Sequence, residues 1–146
     1  MGWTTDLLVG LAEHLADVVP NLEWRPSGPA YTAAEVGVVF GAMPADPDRV
    51  VVLTAYPVSG SGLSDVVQGV QVRCRGTRGS PTSPCDLDDA VYAVLHGAEN
   101  LRLGGVLVAH TRRASAAQLG PDANRRSETT SNYYLTTAHP SAHVTD

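Results

Sequence analysis

Residues 50–56, Val-Val-Val-Leu-Thr-Ala-Tyr, are apolar on both sides of any extended backbone. Such a run is unsuited to a wet surface, so it predicts a central strand covered on each face. The rest of the chain must then supply neighbouring strands and at least one layer over them. The many Val residues agree, because β-branched side chains fit a pleated surface. Aromatics make up only 5% of the 146 residues, so Val, Leu and Ala have to build the core. The length suits one domain.

Helical periodicity occurs twice. Leu7, Leu8, Leu11, Leu15 and Val18 recur at three- and four-residue spacing. They predict an amphipathic helix of about four turns, capped at Thr5 or Asp6 and ended by Pro20. Asp86 is expected to cap a second helix, with Asp88 and Asp89 favourably placed at its N-terminus. Leu87, Ala90, Val91, Val94, Leu95 and Ala98 form its apolar face, and Gly97 sits where a helix stops.

The remaining segments read as extended. Leu22–Arg25 is a short strand before the Pro26-Ser27-Gly28-Pro29 turn. Thr32-Ala-Ala-Glu35 matches a capping box, but Val36-Gly-Val-Val-Phe40 is poor helix material, so a turn and then a strand are predicted. Pro44–Arg49 leads rigidly into the central strand, which Pro57 should end, and Ser59–Gly62 reads as a flexible link. From Val66 to Arg75, Val70, Val72 and Cys74 alternate with Gln71, Arg73 and Arg75, giving a strand with one wet or partner-facing side. A polar loop covers 76–84. Two further strands are expected around 104–111 and 127–137, joined by a loop with Gly120-Pro121-Asp122. This order implies an α+β fold, a mostly antiparallel β-sheet flanked by two α-helices. It forms a single domain over residues 1–137, and residues 138–146 read as a C-terminal tail.

Several function classes are excluded early. The formal net charge of -5 argues against a grip on nucleic-acid phosphates. All ten basic residues are Arg, and without Lys there is no Walker-type phosphate loop, Schiff-base enzyme or Ser-Lys hydrolase. The apolar stretch at 7–11 is too short for a secretory signal or a membrane span, so a cytoplasmic protein without a membrane partner is expected.

A search for chemistry yields little. His139 and His143 have helical ligand spacing, but Pro140 and the chain end oppose a helix there, so no metal is expected. His96 belongs at a helix C-terminus, and His110 lies late in a strand without an activated nucleophile beside it. Cys85 precedes a helix start, where a thiol can be activated, although a buried or inert thiol is the better explanation. Two cysteines, Cys74 and Cys85, are too few for a disulfide framework, and reduced thiols are expected. No catalytic residues, cofactor or metal site are assigned.

The arginines are unevenly placed: Arg73, Arg75 and Arg78 fall in one segment, and Arg112, Arg113, Arg125 and Arg126 in another. A solvated face accounts for them. So does a protein–protein surface, where the planar guanidinium is enriched.

Three stretches together carry a resemblance. They are Pro44–Arg49 running into the Val-rich strand that ends Ala55-Tyr56-Pro57, then Val70-Gln-Val-Arg-Cys-Arg75-Gly76, and then Leu119–Glu128 followed by Ser131-Asn-Tyr-Tyr-Leu135. In this order they resemble bacteriophage tail-terminator and minor capsid proteins over most of the chain. Arg125 departs from the pattern, standing where a Gly is expected, and the 76–85 loop matches nothing in it.

The resemblance implies a structural subunit and no enzyme. Six copies would form a homo-hexameric ring on the last ring of the tail tube, halt tube polymerisation and present a face to the neck or stopper protein of the head–tail connector. Genomic DNA would pass through without sequence-specific binding. The place would be the tail–neck junction of the virion, reached from the host cytoplasm. On this basis Arg73, Arg75, Arg78, Arg112, Arg125 and Arg126 are expected to contact neighbouring subunits, and the 59–64 and 76–85 loops to order only on assembly. Two alternatives remain at this stage: a neck stopper or head-completion protein, and a small thiol enzyme or ligand-binding domain using Cys85 and His110.

Overall fold

The computed structural model describes residues 2–144. Helix α1 spans Trp3–Val18 and α2 spans Ser83–Leu95. The strands are β1 (Leu22–Glu23), β2 (Val36–Phe40), β3 (Val50–Gly60), β4 (Asp65–Arg75), β5 (Glu99–Leu103), β6 (Val106–Pro121) and β7 (Ser127–Ala138). They form one sheet in the order β1-β2-β3-β4-β7-β6-β5. The β1–β2 and β2–β3 pairs are parallel and all others antiparallel. The α+β class and the mostly antiparallel sheet are therefore as expected.

Both helices cover the same face of the sheet. Leu7, Leu11 and Leu15 of α1 and Val91 and Leu95 of α2 share one core with Val51, Leu53, Val70, Val72, Cys74, Val108, Tyr133 and Leu135. Each such Leu contributes roughly 1.5–3 kcal/mol by leaving water, so packing rather than propensity holds the helices. Contact is closest where α1 crosses the β5–β6 turn. A Cβ on Gly10 would collide with the backbone of Leu103 and Gly104, and one on Gly104 with the carbonyl of Asp6. On the opposite face of the central strand, Val50 and Val52 are buried as well. Both faces of 50–53 are thus covered.

Several boundaries differ from expectation. Helix α1 starts at Trp3 behind Gly2, with no side-chain cap, so Thr5 and Asp6 lie inside its first turn. Helix α2 starts at Ser83, because Pro84 needs no amide partner in a first turn, and Asp86 sits within that turn. Strand β3 runs through Pro57 to Gly60. Pairing with β2 stops at Leu53, so Pro57 falls where β3 is already a sheet edge and no ladder donor is missed. Strand β5 was not anticipated, and β6 extends to Pro121 rather than stopping near 111. The signal for β5 was Gly104-Gly105, both at positive φ, which form a two-residue hairpin loop.

The segment after β7 is anchored at its start. The Trp3 indole donates to the Ala138 carbonyl at 3.0 Å and stacks on His139 at 3.9 Å. The expected tail also includes Thr145 and Asp146, which lie outside the described residues.

Candidate assembly surface

At one end of the sheet β4 and β6 finish while β3 and β7 begin, which brings three loops together. These are the 44–49 connection, the start of the 76–82 loop and the β6–β7 turn at 122–126. Five of the six selected arginines, Arg73, Arg75, Arg78, Arg125 and Arg126, gather at this end, and only Arg112 lies elsewhere.

Two of the five point inward. Arg75 is 2% exposed and Arg126 is 5% exposed. Arg75 donates to the carbonyls of Asp48 at 2.9 Å, Pro47 at 2.7 Å and Ala45 at 3.3 Å. Arg126 donates to the Ala45 carbonyl at 2.6 Å and to Asp122 Oδ2 at 3.0 Å. Such buried cations persist only because their donors are satisfied. The expected surface role of Arg75 and Arg126 is thus corrected: each secures the 44–49 loop of its own chain. An alternating strand reads Arg75 as outward, and the sequence carries no sign of a loop folding over that face.

The other three are more open. Arg73 reaches Glu128 at 2.5 Å with its side chain 42% exposed. Arg78 lies 3.5 Å from Asp48, and its amide donates to the same carboxylate at 3.1 Å. Arg125 is exposed at the β6–β7 turn with φ +61, a left-handed conformation that favours Gly. The resemblance placed a Gly at this position, and the backbone gives the reason. Asp122 closes the turn by accepting the amides of Asn124 at 2.8 Å and Arg126 at 2.9 Å.

The carboxylates register this setting. The Arg78 amide holds the Asp48 carboxyl below its ordinary range, and the Arg126 amide does the same for Asp122. The 76–82 loop is also tied within the chain, with Gly79 donating to the Arg125 carbonyl at 2.9 Å and Thr77 to Ser83 Oγ at 2.8 Å. The expectation that this loop orders only on assembly is corrected accordingly. Ser59 and Gly60 likewise belong to β3 and not to a free loop.

Arg112 is exposed on the face away from the helices, 5.0 Å from the Tyr134 ring centroid. Nearby on that face the Tyr56 ring fills the space above Gly69, and its hydroxyl donates to Asn132 at 2.9 Å. Arg113 is part-buried on the helix side, over Tyr92 at 4.3 Å and 3.4 Å from Asp88. Burial raises the Asp88 carboxyl despite that arginine.

The thiol chemistry is not assembled. Cys85 lies beside Gln118, which donates to its sulfur at 3.6 Å. Gln118 pairs with Thr129 and His110 with Thr136. Seven or eight positions along one strand separate the thiol from the imidazole by about 25 Å. Among the described residues no three His, Cys, Asp or Glu side chains converge on a metal position. No described helix is long and apolar enough to cross a membrane.

One further feature escaped the sequence. Every residue of Ala114–Pro121 in β6 is exposed. Strand β5 pairs with β6 only as far as His110. Thr111 then bonds Gly97 and Ala98, and the Arg113 amide donates to His96 Nδ1 at 3.0 Å. Beyond that point the outer edge of β6 has no backbone partner among the described residues.

The fold can be set beside known proteins. A chain from the virion of a native gene transfer agent (GTA) particle is similar, with TM-score 0.55 and 15% identity over 69% of this chain and 78% of that one. At that identity the likeness concerns the fold. No curated protein matches the sequence. A family model described as bacteriophage tail terminator protein matches residues 20–138, which run from the end of α1 through β7 and include every loop of the arginine-rich end. The chain belongs to the bacteriophage tail terminator family.

Proposed function

We propose that this chain terminates a phage tail: copies of it form a hexameric ring on the last ring of the tail tube, stop its polymerisation and meet the neck on the other side. The family match over residues 20–138 carries this reading. The structure supports a subunit that fits surfaces rather than transforms a molecule. It holds an aliphatic core, no assembled catalytic group among the described residues, and a sheet with exposed edges. Its partners are further copies of itself, the tube protein and a neck or stopper protein. Its place is the tail–neck junction, reached from the host cytoplasm. Genomic DNA passes without sequence readout, and the net charge of -5 suits a wall that does not trap it.

Contacts to neighbours fall to the open arginines Arg73, Arg78, Arg112 and Arg125. Arg75 and Arg126 act indirectly by fixing the 44–49 loop. Electron microscopy of particles made without this gene tests the proposal. Overlong tails without heads are the expected outcome. Tails of normal length that fail to join heads would move the chain to the neck and end the terminator reading.

A further inference from the structure

Among the described residues, two long strands run past their shorter outer neighbours at opposite corners of the sheet. On the β6 side the open stretch is Ala114–Pro121, toward the arginine-rich end. On the β3 side pairing with β2 stops at Leu53, leaving Thr54–Gly60 open toward the other end. Neither stretch contains a charged side chain. Free edges on monomeric proteins are commonly blunted by charges, Pro or bulges, because bare N–H and C=O groups template strand pairing. Here Pro57, Pro121 and the register shifts interrupt the ladder without closing the rest of either edge. Ala114, Ser115, Ala116 and Ala117 are small enough to admit another backbone closely, and Leu119 at 50% and Val58 at 37% add exposed apolar surface.

We propose that Ala114–Pro121 of β6 pairs antiparallel with Thr54–Gly60 of β3 in the next copy of this chain. The proposal rests on the self-association proposed above and names its seam. Strands β3 and β6 run in opposite directions in the sheet, so a neighbour placed alongside without flipping presents β3 antiparallel to β6. The diagonal arrangement is what lets the two edges meet. Strand β5 of the first copy lies beyond one end of the contact, and β2 of the second beyond the other. The resulting offset tilts successive strands, as closure of a ring requires. Register shifts at Arg113/Ser115 and Gln118/Gly120 add twist, which favours a curved seam over a flat stack.

Charge fits as well. The neighbour's Gly60 end arrives beside Arg112, and its exposed Asp65, next to Val66 opposite Gly60, lies close to that guanidinium. A seam of this kind is heterologous: one edge meets a different edge, and every copy uses both.

Cysteine pairing reads the seam directly. In a Cys85→Ser background, chains with Ser59→Cys are mixed with chains carrying Ala114→Cys, Ala116→Cys or Gln118→Cys and mildly oxidised. Disulfide-linked dimers are expected in at least one mixture, while none of the four cross-links to itself. One chain carrying both cysteines should give a ladder of covalent oligomers. Arg112→Asp should weaken association by about fivefold, and Asp65→Arg in the same chain should restore most of it.

Self-linking of Ala116→Cys would mean a two-fold contact and overturn the seam. Assembly on tail tubes without any mixed cross-link would overturn the seam and leave the ring intact. A chain that stays monomeric at every concentration and on tubes would overturn both.

Discussion

The arginine-rich loop end and the open stretch of β6 differ in how their polar groups are satisfied. At the loop end Arg75 and Arg126 are buried, and their donors meet carbonyls or carboxylates of the same chain. Along Ala114–Pro121 nothing is charged, and one side of the backbone finds no partner among the described residues. Two of the conspicuous residues therefore serve the fold, while an inconspicuous Ala-rich stretch keeps an open edge. Charge density in a sequence marks where ionic energy is concentrated. It does not say whether the partner is internal.

If that contrast holds, stability and assembly separate on mutation. Arg75→Ala strands the carbonyls of Ala45, Pro47 and Asp48 and removes the support of the 44–49 loop. It should cost about 3 kcal/mol, or about 10 °C in Tm by calorimetry. Ala116→Ser on the open edge should shift stability by less than about 0.5 kcal/mol. A small effect at Arg75 would dissolve the distinction, because the loop would then be held by something else.

The sequence revealed the central strand, both helical faces and the α+β order, since each rests on periodicity over many residues. Thr32–Glu35 was also legible: Glu35 accepts the Thr32 amide at 2.7 Å, as a capping box does, yet a strand follows because Val36–Phe40 overrides it. The long second half of β6 was not legible. Ala-Ser-Ala-Ala-Gln has little strand preference, and this stretch is extended only because β7 pairs with it residue by residue. The site was half legible. The clustering of arginines in sequence matched a real convergence at one end, whereas their direction depended on a loop arriving from residues 44–49.

Acid should act on one region and spare the other. The folded carboxyls of Asp48 and Asp122 are lowered, chiefly by backbone amides, and Glu35 is lowered to about 2, chiefly by Arg25. A lowered folded pKa contributes stability above the unfolded carboxylate range, and that contribution disappears as pH falls through the folded value. Asp88 works in the opposite direction. Burial raises it, so its contribution is full below the ordinary range and is lost as pH rises. The three lowered groups outnumber it, so the urea midpoint should fall between about pH 5 and pH 2. Asp122→Asn should start lower at neutral pH and decline less steeply. Substitutions within Ala114–Pro121, which has no titratable side chain, should leave the slope unchanged.

A small effect discriminates most sharply, because Arg125→Gly is expected to move fold and assembly in opposite directions. At φ +61 an Arg pays a conformational cost that Gly does not, and both backbone bonds of the residue, its amide to the Asp122 carbonyl and its carbonyl from Gly79, survive the change. Stability should therefore rise by about 0.5–1 kcal/mol in urea unfolding. The same variant loses an exposed guanidinium at the tip of the turn. If that group contacts a neighbour, tail joining should weaken by a few-fold while the isolated subunit grows more stable. Tail joining as strong as before, alongside the gain in stability, would place Arg125 with Arg75 and Arg126 as a residue without a direct part in the interface. A loss of stability would mean that the side chain, despite its exposure, holds the turn in its left-handed conformation.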